Sequence, residues 1–325
     1  MKRIALVAAL AAAFAAPAFA QSSVTVYGRL NTSIEWQKNN PTNGKPDDDQ
    51  WVLQNNASRI GFKGVEDLGG GLKADFFLEH RFNSDNGAVT NPNSFWAGDT
   101  WVGLTSGLGW LRLGRITSDA YYTTADYVSM HNHDTGTSED KLFDYVAFNE
   151  NKVAYSSPNF AGLVIDAQYG FKESTHTDDA YEVAAYYDVG NLHLGGGYAQ
   201  IGDDWQASVR ALYQLGDFTF GGYYQYSDLD QTFPGNGDRN AVRASVMYTI
   251  GATELHANVG WAGERGGVDN TGAIQYTLGA NYNLSKRTKV YAFYTAVDND
   301  DAGTYFVANP GQKSEAFMMG IRHNF

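Results

Sequence analysis

Two histidines and a carboxylate occur within four residues near the middle of the chain, as His131, His133 and Asp134. Imidazole and carboxylate groups are common zinc ligands, so this segment could in principle hold a metal ion. A zinc site needs further ligands on a fixed scaffold, however, and no second motif supplies them. We therefore interpret the segment as part of a surface loop, and we expect neither a metal nor any other cofactor.

Other side-chain combinations that carry chemistry are also missing from the sequence. The chain has no cysteine, which excludes thiolate chemistry and disulfide bonds. Serine, histidine and aspartate are scattered, without the nucleophile elbow of a serine hydrolase. The glycine triplets 69–71 and 195–197 precede no predicted helix, so neither is a phosphate-binding loop. We interpret the first as a turn and the second as close packing within a strand, and we expect the protein not to be an enzyme.

Charged residues recur instead at alternate positions of short segments that are otherwise apolar. Between residues 24 and 30, valine and leucine occupy even positions, whereas Tyr27 and Arg29 occupy odd positions. The segment 72–79 alternates in the same way, and several later segments repeat the pattern. Because successive side chains of a β-strand point to opposite faces, each segment predicts a strand with one apolar and one polar face.

Short and long connections between these segments follow each other in turn. Tight turns such as 158–162 alternate with longer polar segments such as 83–96 and 117–149. This pattern is typical of an up-and-down meander, with about sixteen strands of the roughly ten-residue length that crosses a membrane. Closure into a barrel pairs every backbone group and leaves no sheet edge in lipid. We therefore predict an all-β fold, a 16-stranded antiparallel transmembrane β-barrel.

The N-terminal residues predict export from the cytoplasm. Lys2 and Arg3 precede an apolar segment, 4–16, which is followed by the small-residue motif Ala18-Phe19-Ala20. This order is typical of a secretory signal peptide, so we expect residues 1–20 to be cleaved and residues 21–325 to form one barrel domain. The formal net charge is −13 before cleavage, which offers no basic surface for nucleic acid.

The last twelve residues, SEAFMMGIRHNF, fit the final strand of such a barrel. Phe317, Met319, Ile321 and Phe325 share one face, which we expect to contact lipid. Aromatic residues form girdles at both membrane interfaces of these barrels, so Phe325 is expected at an interface.

Five segments of the mature chain occur together in one known family. They are VTVYGR (24–29), SRIGFKGVEDL (58–68), LRLGR (111–115), VAYSSPNFAGL (153–163) and the terminal Phe325. In these segments the chain resembles the general porins of Gram-negative outer membranes, especially the trimeric 16-stranded porins of β-proteobacteria. The resemblance implies a homotrimer of passive, water-filled channels for ions and small hydrophilic solutes. It also implies contacts with outer-membrane lipid and lipopolysaccharide, and recognition of the terminal aromatic residue by the barrel-assembly machinery.

The resemblance further implies that the third long loop, 117–149, folds inward and narrows the pore. In the family, basic residues on the barrel wall face acidic residues on this loop. Arg29, Arg59 and Arg115 stand at the matching positions of their motifs, and strand alternation adds Lys63 and Arg112 as basic candidates on the lumenal face. The matching acidic candidates are Asp119, Asp126, Asp134, Glu139 and Asp140.

Two positions depart from the simple pattern. Strict alternation places Arg115 on the lipid face, where a cation at the bilayer centre costs about 2–4 kcal/mol. We therefore expect Gly114 to form a bulge that returns Arg115 to the pore. Some relatives carry a further basic wall residue near the start of the sixth strand, where this chain has Asn149-Glu150-Asn151.

Three alternatives to a general porin remain open from the sequence. The lumenal aromatics Tyr27, Phe77 and Trp101 would also suit a channel specific for a sugar or an organic acid. The others are an outer-membrane barrel enzyme and a secreted β-sandwich. The acidic net charge favours cations at the pore mouths, whereas the wall arginines favour anions, so we expect modest ion selectivity.

Overall fold

The computed structural model describes residues 23–40, 49–131, 136–230 and 236–325. The predicted signal peptide, 1–20, and the candidate residue Asp134 lie outside these ranges. The described strands are β1 (Ser23–Lys38), β2 (Gln50–Asn55), β3 (Arg59–Gly69), β4 (Leu72–Arg81), β5 (Thr100–Ser106), β6 (Gly109–Arg115), β7 (Lys152–Ser156), β8 (Leu163–Gly170), β9 (Ala180–Val189), β10 (Leu192–Ile201), β11 (Asp204–Leu215), β12 (Phe218–Leu229), β13 (Gly237–Ile250), β14 (Thr253–Ala262), β15 (Ala273–Asn283), β16 (Thr288–Asn299) and β17 (Lys313–Asn324).

These strands close into the predicted 16-stranded antiparallel barrel. From β3 onward each strand pairs with the next, and β17 pairs with β1 from Arg29↔Asn324 to Lys38↔Glu315. Both β2 and β3 pair with β1, so they are two halves of one barrel strand. The interruption between them includes Ala57, whose φ of 60° breaks the extended backbone. The seventeen segments therefore make sixteen barrel strands.

The apolar parity of the strands faces outward. Val209, Trp261 and Leu278 are about half exposed, as are most large apolar side chains of the other strands. A continuous apolar belt of this kind would be unfavourable in water but matches the hydrocarbon of a bilayer. Among the described residues, no helix is long and apolar enough to cross a lipid bilayer.

The end of the chain lies beside the middle of β1. The backbones of Phe325 and Gly28 exchange two hydrogen bonds of 3.0 Å. A Cβ atom at residue 28 would collide with the Phe325 ring, so glycine is required for this close approach. Phe317, Met319 and Ile321 are exposed on the outer face, as the alternation predicted.

The long connection between β6 and β7, which we call the inward loop (116–151), lies against the polar inner face. Its helical part comprises Asp119–Tyr121, a wider turn at Tyr122–Asp126 and a 3-10 turn at Gly136–Ser138. Ser118 contacts Glu182 of β9, and the Thr137 hydroxyl donates to Glu35 of β1 at 2.9 Å. These partners lie on the inner parity of their strands, so the loop is inside the barrel.

The glycine triplet 195–197 explains how the helical part of the loop approaches the wall. A Cβ atom at Gly197 would lie 2.6 Å from Ala120 Cα, and one at Gly195 would lie 2.8 Å from Thr123 Cγ2. No side chain fits in this space. The close packing predicted for the triplet is therefore present, and the packed neighbour is the inward loop.

Candidate functional site

Three arginines from neighbouring strands form a row on the inner wall, which we call the arginine row (Arg29, Arg59 and Arg81). Arg29 of β1 lies opposite Arg59 of β3, and Arg59 lies opposite Arg81 of β4. Residues directly opposite each other on adjacent strands have Cβ atoms about 4.5–5.5 Å apart. Three positive charges are therefore adjacent at one level of the lumen.

Two carboxylates, Glu79 and Asp99, lie beside the row and partly offset its charge. Glu79 Oε1 accepts a 2.9 Å hydrogen bond from Arg81 Nε, and Glu79 Oε2 lies 3.9 Å from Arg59 Nη1. Arg29 Nε donates instead to the neutral side chain of Asn324, at 3.2 Å. Among the side chains that line the cavity beside the row, three arginines thus accompany two carboxylates, an excess of one positive charge.

The arginine row faces a water-accessible space. It lines a cavity of about 380 Å³, which Asp99 and the inward-loop residue Tyr122 also line. Tyr122 also lines a second cavity of about 510 Å³, so the two cavities lie on either side of this residue of the loop. A solute that moves along the lumen here passes between the row and the loop.

The predicted acidic residues of the loop have different partners. Asp119 Oδ2 accepts a 3.1 Å hydrogen bond from Arg112 Nη2, and Glu139 binds its neighbour Lys141. Asp140 lies 3.1 Å from Arg243 on β13, so it binds the wall opposite the arginine row. Asp126 is the last residue of the turn Tyr122–Asp126, and this residue is half-buried.

Two more of the predicted basic residues, Lys63 and Arg112, lie on the inner wall outside the row. Lys63 is on the same face of β3 as Arg59, and its ammonium group lies 5.4 Å from the centre of the Tyr27 ring. Arg112 is on the inner face of β6, with its guanidinium 4.2 Å from the centre of the Trp110 ring. Both lie closer to the tight turns than the arginine row does.

The prediction of a bulge at Gly114 is wrong. The φ of Gly114 is 145°, which favours glycine, yet the register of β5 and β6 continues without a shift to Thr100↔Arg115. Arg115 therefore keeps the outer parity at the last position of β6. Its side chain donates to the Ala97 carbonyl at 3.2 Å and to Glu150 at 2.8 Å, at the loop end of the barrel.

Glu150 is held in its charged form at the loop end of the barrel, which we call the rim. Partial burial favours the protonated acid, but the hydrogen bond with His176, a backbone hydrogen bond and the charge of Arg115 together lower the pKa of Glu150. Arg115 thus has a carboxylate partner of its own and does not contact the arginine row.

Two basic residues were missed by sequence reasoning. Arg81 follows Glu79 on the polar parity of β4, so extending that alternation by one step would have included it. Lys152 opens β7, the sixth barrel strand, where no basic wall residue had been recognised. Its Nζ donates to Gln168 at 2.7 Å and to Glu182 at 2.5 Å, and the side chain is fully buried.

The closed barrel, its apolar belt and its charged lumen define an outer-membrane channel protein. The sequence profile of the Gram-negative porins matches residues 5–302, so the chain belongs to that family. Outer membrane porin protein 32 of Delftia acidovorans is 30% identical to it over the full length of both chains. An outer membrane porin protein of Bordetella pertussis is 29% identical, again over both full lengths.

The solved structures agree with the sequence comparison. The anion-selective porin from Comamonas acidovorans superposes with a TM-score of 0.80 at 26% identity, covering 94% of this chain and 100% of that one. OmpT of Vibrio cholerae superposes with a TM-score of 0.70 at 19% identity, covering 94% and 99%, which shows the shared fold. The protein is an outer-membrane porin of the Gram-negative type, a channel for passive diffusion of ions and small hydrophilic solutes.

Proposed function

We propose that this porin is a diffusion channel that prefers small anions, and that the arginine row and the inward loop form its constriction. The observation that carries the proposal is the row itself, three adjacent guanidinium groups that outnumber the carboxylates of Glu79 and Asp99 in the same cavity. Rings of fixed charge and the pore diameter decide which ions enter a channel, and they do so without covalent chemistry. We infer accordingly that the protein catalyses no reaction.

The sign of the preference follows from which charges face water. The chain is acidic overall, with a net charge of −13. Inside the barrel, however, the loop carboxylates of Asp119, Asp140 and Asp144 each have an arginine partner within 3.1 Å. The cavity beside the arginine row is lined by more arginines than side-chain carboxylates. The anion selectivity named for the Comamonas acidovorans relative supports the same sign.

The test is the zero-current potential of the purified protein in a planar bilayer with a KCl gradient. The triple variant Arg29→Ser, Arg59→Ser and Arg81→Ser should move this potential toward cation preference. A matched control removes three positive charges from near the two ends of the barrel, in Lys38→Ser, Lys286→Ser and Arg287→Ser, and should change it much less. Equal potentials for the triple variant and the unchanged protein would refute the proposed constriction.

The other predicted basic residues should contribute less to ion selectivity the farther they lie from the arginine row. Lys63 and Arg112 are on the inner wall nearer the tight turns, so we propose that they affect selectivity less than the row does. Arg112 is already neutralised by Asp119. Arg115, paired with Glu150 at the rim, should contribute least among the candidates.

We also propose that three copies of the chain form a homotrimer. Support comes from membership of the porin family and from a relative of the same fold, OmpT of Vibrio cholerae, that is described as a trimer. In a bilayer, a trimer of independent channels should open in one step and close in three equal steps. A molar mass in detergent equal to that of one chain would contradict this proposal.

Export and assembly complete the proposal. We propose cleavage of residues 1–20 and recognition of Phe325 by the barrel-assembly machinery in the outer membrane. The N-terminus of the mature protein should then be Gln21, which N-terminal sequencing would show. Replacing Phe325 by serine should lower the amount of barrel in outer-membrane fractions while the refolded protein still conducts.

A further inference from the structure

Four aromatic side chains form a continuous strip on the inner wall, which we call the aromatic strip (Tyr27, Phe77, Trp101 and Trp110). The ring centroids of Tyr27 and Phe77 are 5.1 Å apart, and those of Phe77 and Trp101 are 5.6 Å apart and nearly parallel. Trp110 meets Trp101 edge-on at 5.1 Å. All four rings are half-buried, so each presents part of its surface to the lumen.

The strip begins directly beside the arginine row. Tyr27 and Arg29 are two positions apart on one face of β1, and Phe77 and Arg81 lie on one face of β4. Tyr27 and Phe77 line the same cavity of about 380 Å³ as the row. Aromatic faces and guanidinium groups therefore share one water-filled space.

The strip continues into the second cavity, of about 510 Å³, where Trp110 lines the wall. Tyr122 of the inward loop lines both cavities, so the loop contributes a further aromatic ring to each. Arg210, only 5% exposed, lines this second cavity, and its Nη1 has no hydrogen-bond partner within the part of the chain that the structure describes.

We propose that the aromatic strip binds planar, ring-bearing organic anions, carboxylates or sulfonates, as they pass the arginine row. The inference rests on the anion preference proposed above and names a class of solute for it. The anionic group contacts the row, and the ring packs, offset or edge-on, against the exposed parts of the Phe77 and Trp101 rings. Offset-stacked aromatic pairs are favourable beyond the area that they bury, so a saturated ring of similar size binds less well.

The charge of the second cavity favours release. Arg112 and Arg210 line it together with three carboxylates, Asp119, Asp166 and Asp188. An anion that leaves the arginine row along the strip thus moves from a region with surplus positive charge to one in which acids outnumber arginines. A channel needs this balance, because a site that holds its solute too strongly stops conduction.

The probe is benzenesulfonate, compared with cyclohexanesulfonate, which has the same charge and nearly the same size but no π face. Both are permanently ionised, so neither crosses the lipid as a neutral acid. Bi-ionic zero-current potentials against chloride, and the block of chloride current, are measured for each anion. We expect benzenesulfonate to bind about two- to tenfold more tightly than cyclohexanesulfonate in the unchanged protein.

The variant Phe77→Leu/Trp101→Leu removes two rings of the strip and leaves every arginine. The ratio of the affinity for benzenesulfonate to that for cyclohexanesulfonate should fall to about one. The control Phe220→Leu/Trp261→Leu makes the same replacements on the outer face, where both side chains are exposed, and should keep the ratio. Single-channel conductance in KCl shows that each variant is folded.

The outcomes separate this inference from the proposed function. A ratio of about one in the unchanged protein, or a ratio unaffected by Phe77→Leu/Trp101→Leu, overturns the role of the strip even if the channel prefers chloride. If the unchanged protein shows no preference for chloride over potassium, the proposed function is refuted. An affinity ratio above one that depends on the strip would still support ring recognition in that case.

Discussion

The lumen has two walls that contain the same types of charged residue, but these residues are buried on one wall and lie beside water on the other. We call the inner faces of β7–β16, against which the inward loop packs, the covered wall. The open wall comprises the inner faces of β3–β6 with the first half of β1. On the covered wall, Arg243 is paired with Asp140 and Lys152 with Glu182, and all four side chains are almost completely buried. On the open wall, the three arginines of the row lie beside water with two carboxylates, Glu79 and Asp99.

The difference shows that burial, more than residue type, decides what a lumenal charge does. A buried ion that loses its partner is strongly unfavourable, so the buried pairs Arg243–Asp140 and Lys152–Glu182 should stay paired. The first of these pairs holds the loop against the wall. Charges beside water keep their hydration and need no partner, so a surplus is tolerated on the open wall. That surplus can act on passing ions.

The largest predicted effect tests the covered wall. In the variant Glu182→Gln, the buried ammonium group of Lys152 loses its carboxylate partner, which lies 2.5 Å away. Breaking one buried pair costs about 3–5 kcal/mol, so the free energy of unfolding in urea should fall by about that amount.

The matched control is the double variant Lys152→Met/Glu182→Met. Replacing both partners of a buried pair by apolar side chains is often neutral, so the double variant should be more stable than Glu182→Gln. A loss below about 1 kcal/mol for Glu182→Gln, a value typical of an exposed pair, would contradict the contrast between the two walls.

A second prediction loosens the contact between the loop and the covered wall without changing any charge. In Gly197→Ala, the new Cβ atom would lie 2.6 Å from Ala120 Cα, so the helical part of the loop must move away. Overpacking of this kind costs about 1–3 kcal/mol, and the displaced loop should also increase the noise of single-channel current.

Gly221→Ala is the control for this change. Gly221 is on the same covered wall, but its nearest neighbours would be 3.6 Å from a new Cβ atom, an ordinary contact. The variant should keep both the stability and the quiet current of the unchanged protein. Equal behaviour of Gly197→Ala and Gly221→Ala would show that the loop is not held by this close approach.

The two walls were also unequally predictable from the sequence. Alternation and turn spacing predicted the number of strands and their orientation because both are local properties of the chain. They also placed Arg29 and Arg59 correctly on the inner face, since parity decides this. Arg81 was missed only because the predicted strand ended two residues early, at Glu79.

The course of the inward loop could not be read from the sequence. Asp140 was expected to face the basic wall, yet it binds Arg243, more than one hundred residues later in the chain. Such pairing depends on which strands the loop crosses, and no local pattern encodes that. The register at Arg115 is similar, because Gly114 permits either a bulge or a continuous ladder.

A third prediction compares a charge of the row with a charge of the rim. Arg81→Ser should lower the ratio of chloride to potassium permeability about two- to fivefold, because a unit charge close to the path of an ion contributes about 1 kcal/mol. Arg115→Ser should change it by less, since Glu150 lies 2.8 Å from Arg115 and already offsets its charge. Zero-current potentials in a KCl gradient measure both, and a larger shift for Arg115→Ser would place the constriction at the rim.

The smallest predicted effect separates the two walls by their response to salt. The distance over which salt screens a charge falls from about 10 Å at 0.1 M to about 3 Å at 1 M. The arginine row lies beside water, so its anion preference should weaken as the mean KCl concentration rises across this range. The pair of Lys152 and Glu182 is buried, so the stability lost in Glu182→Gln should change little over the same range. An anion preference that is equally insensitive to salt would mean that buried charges set the selectivity, and the division between an open wall that selects and a covered wall that holds the loop would fail.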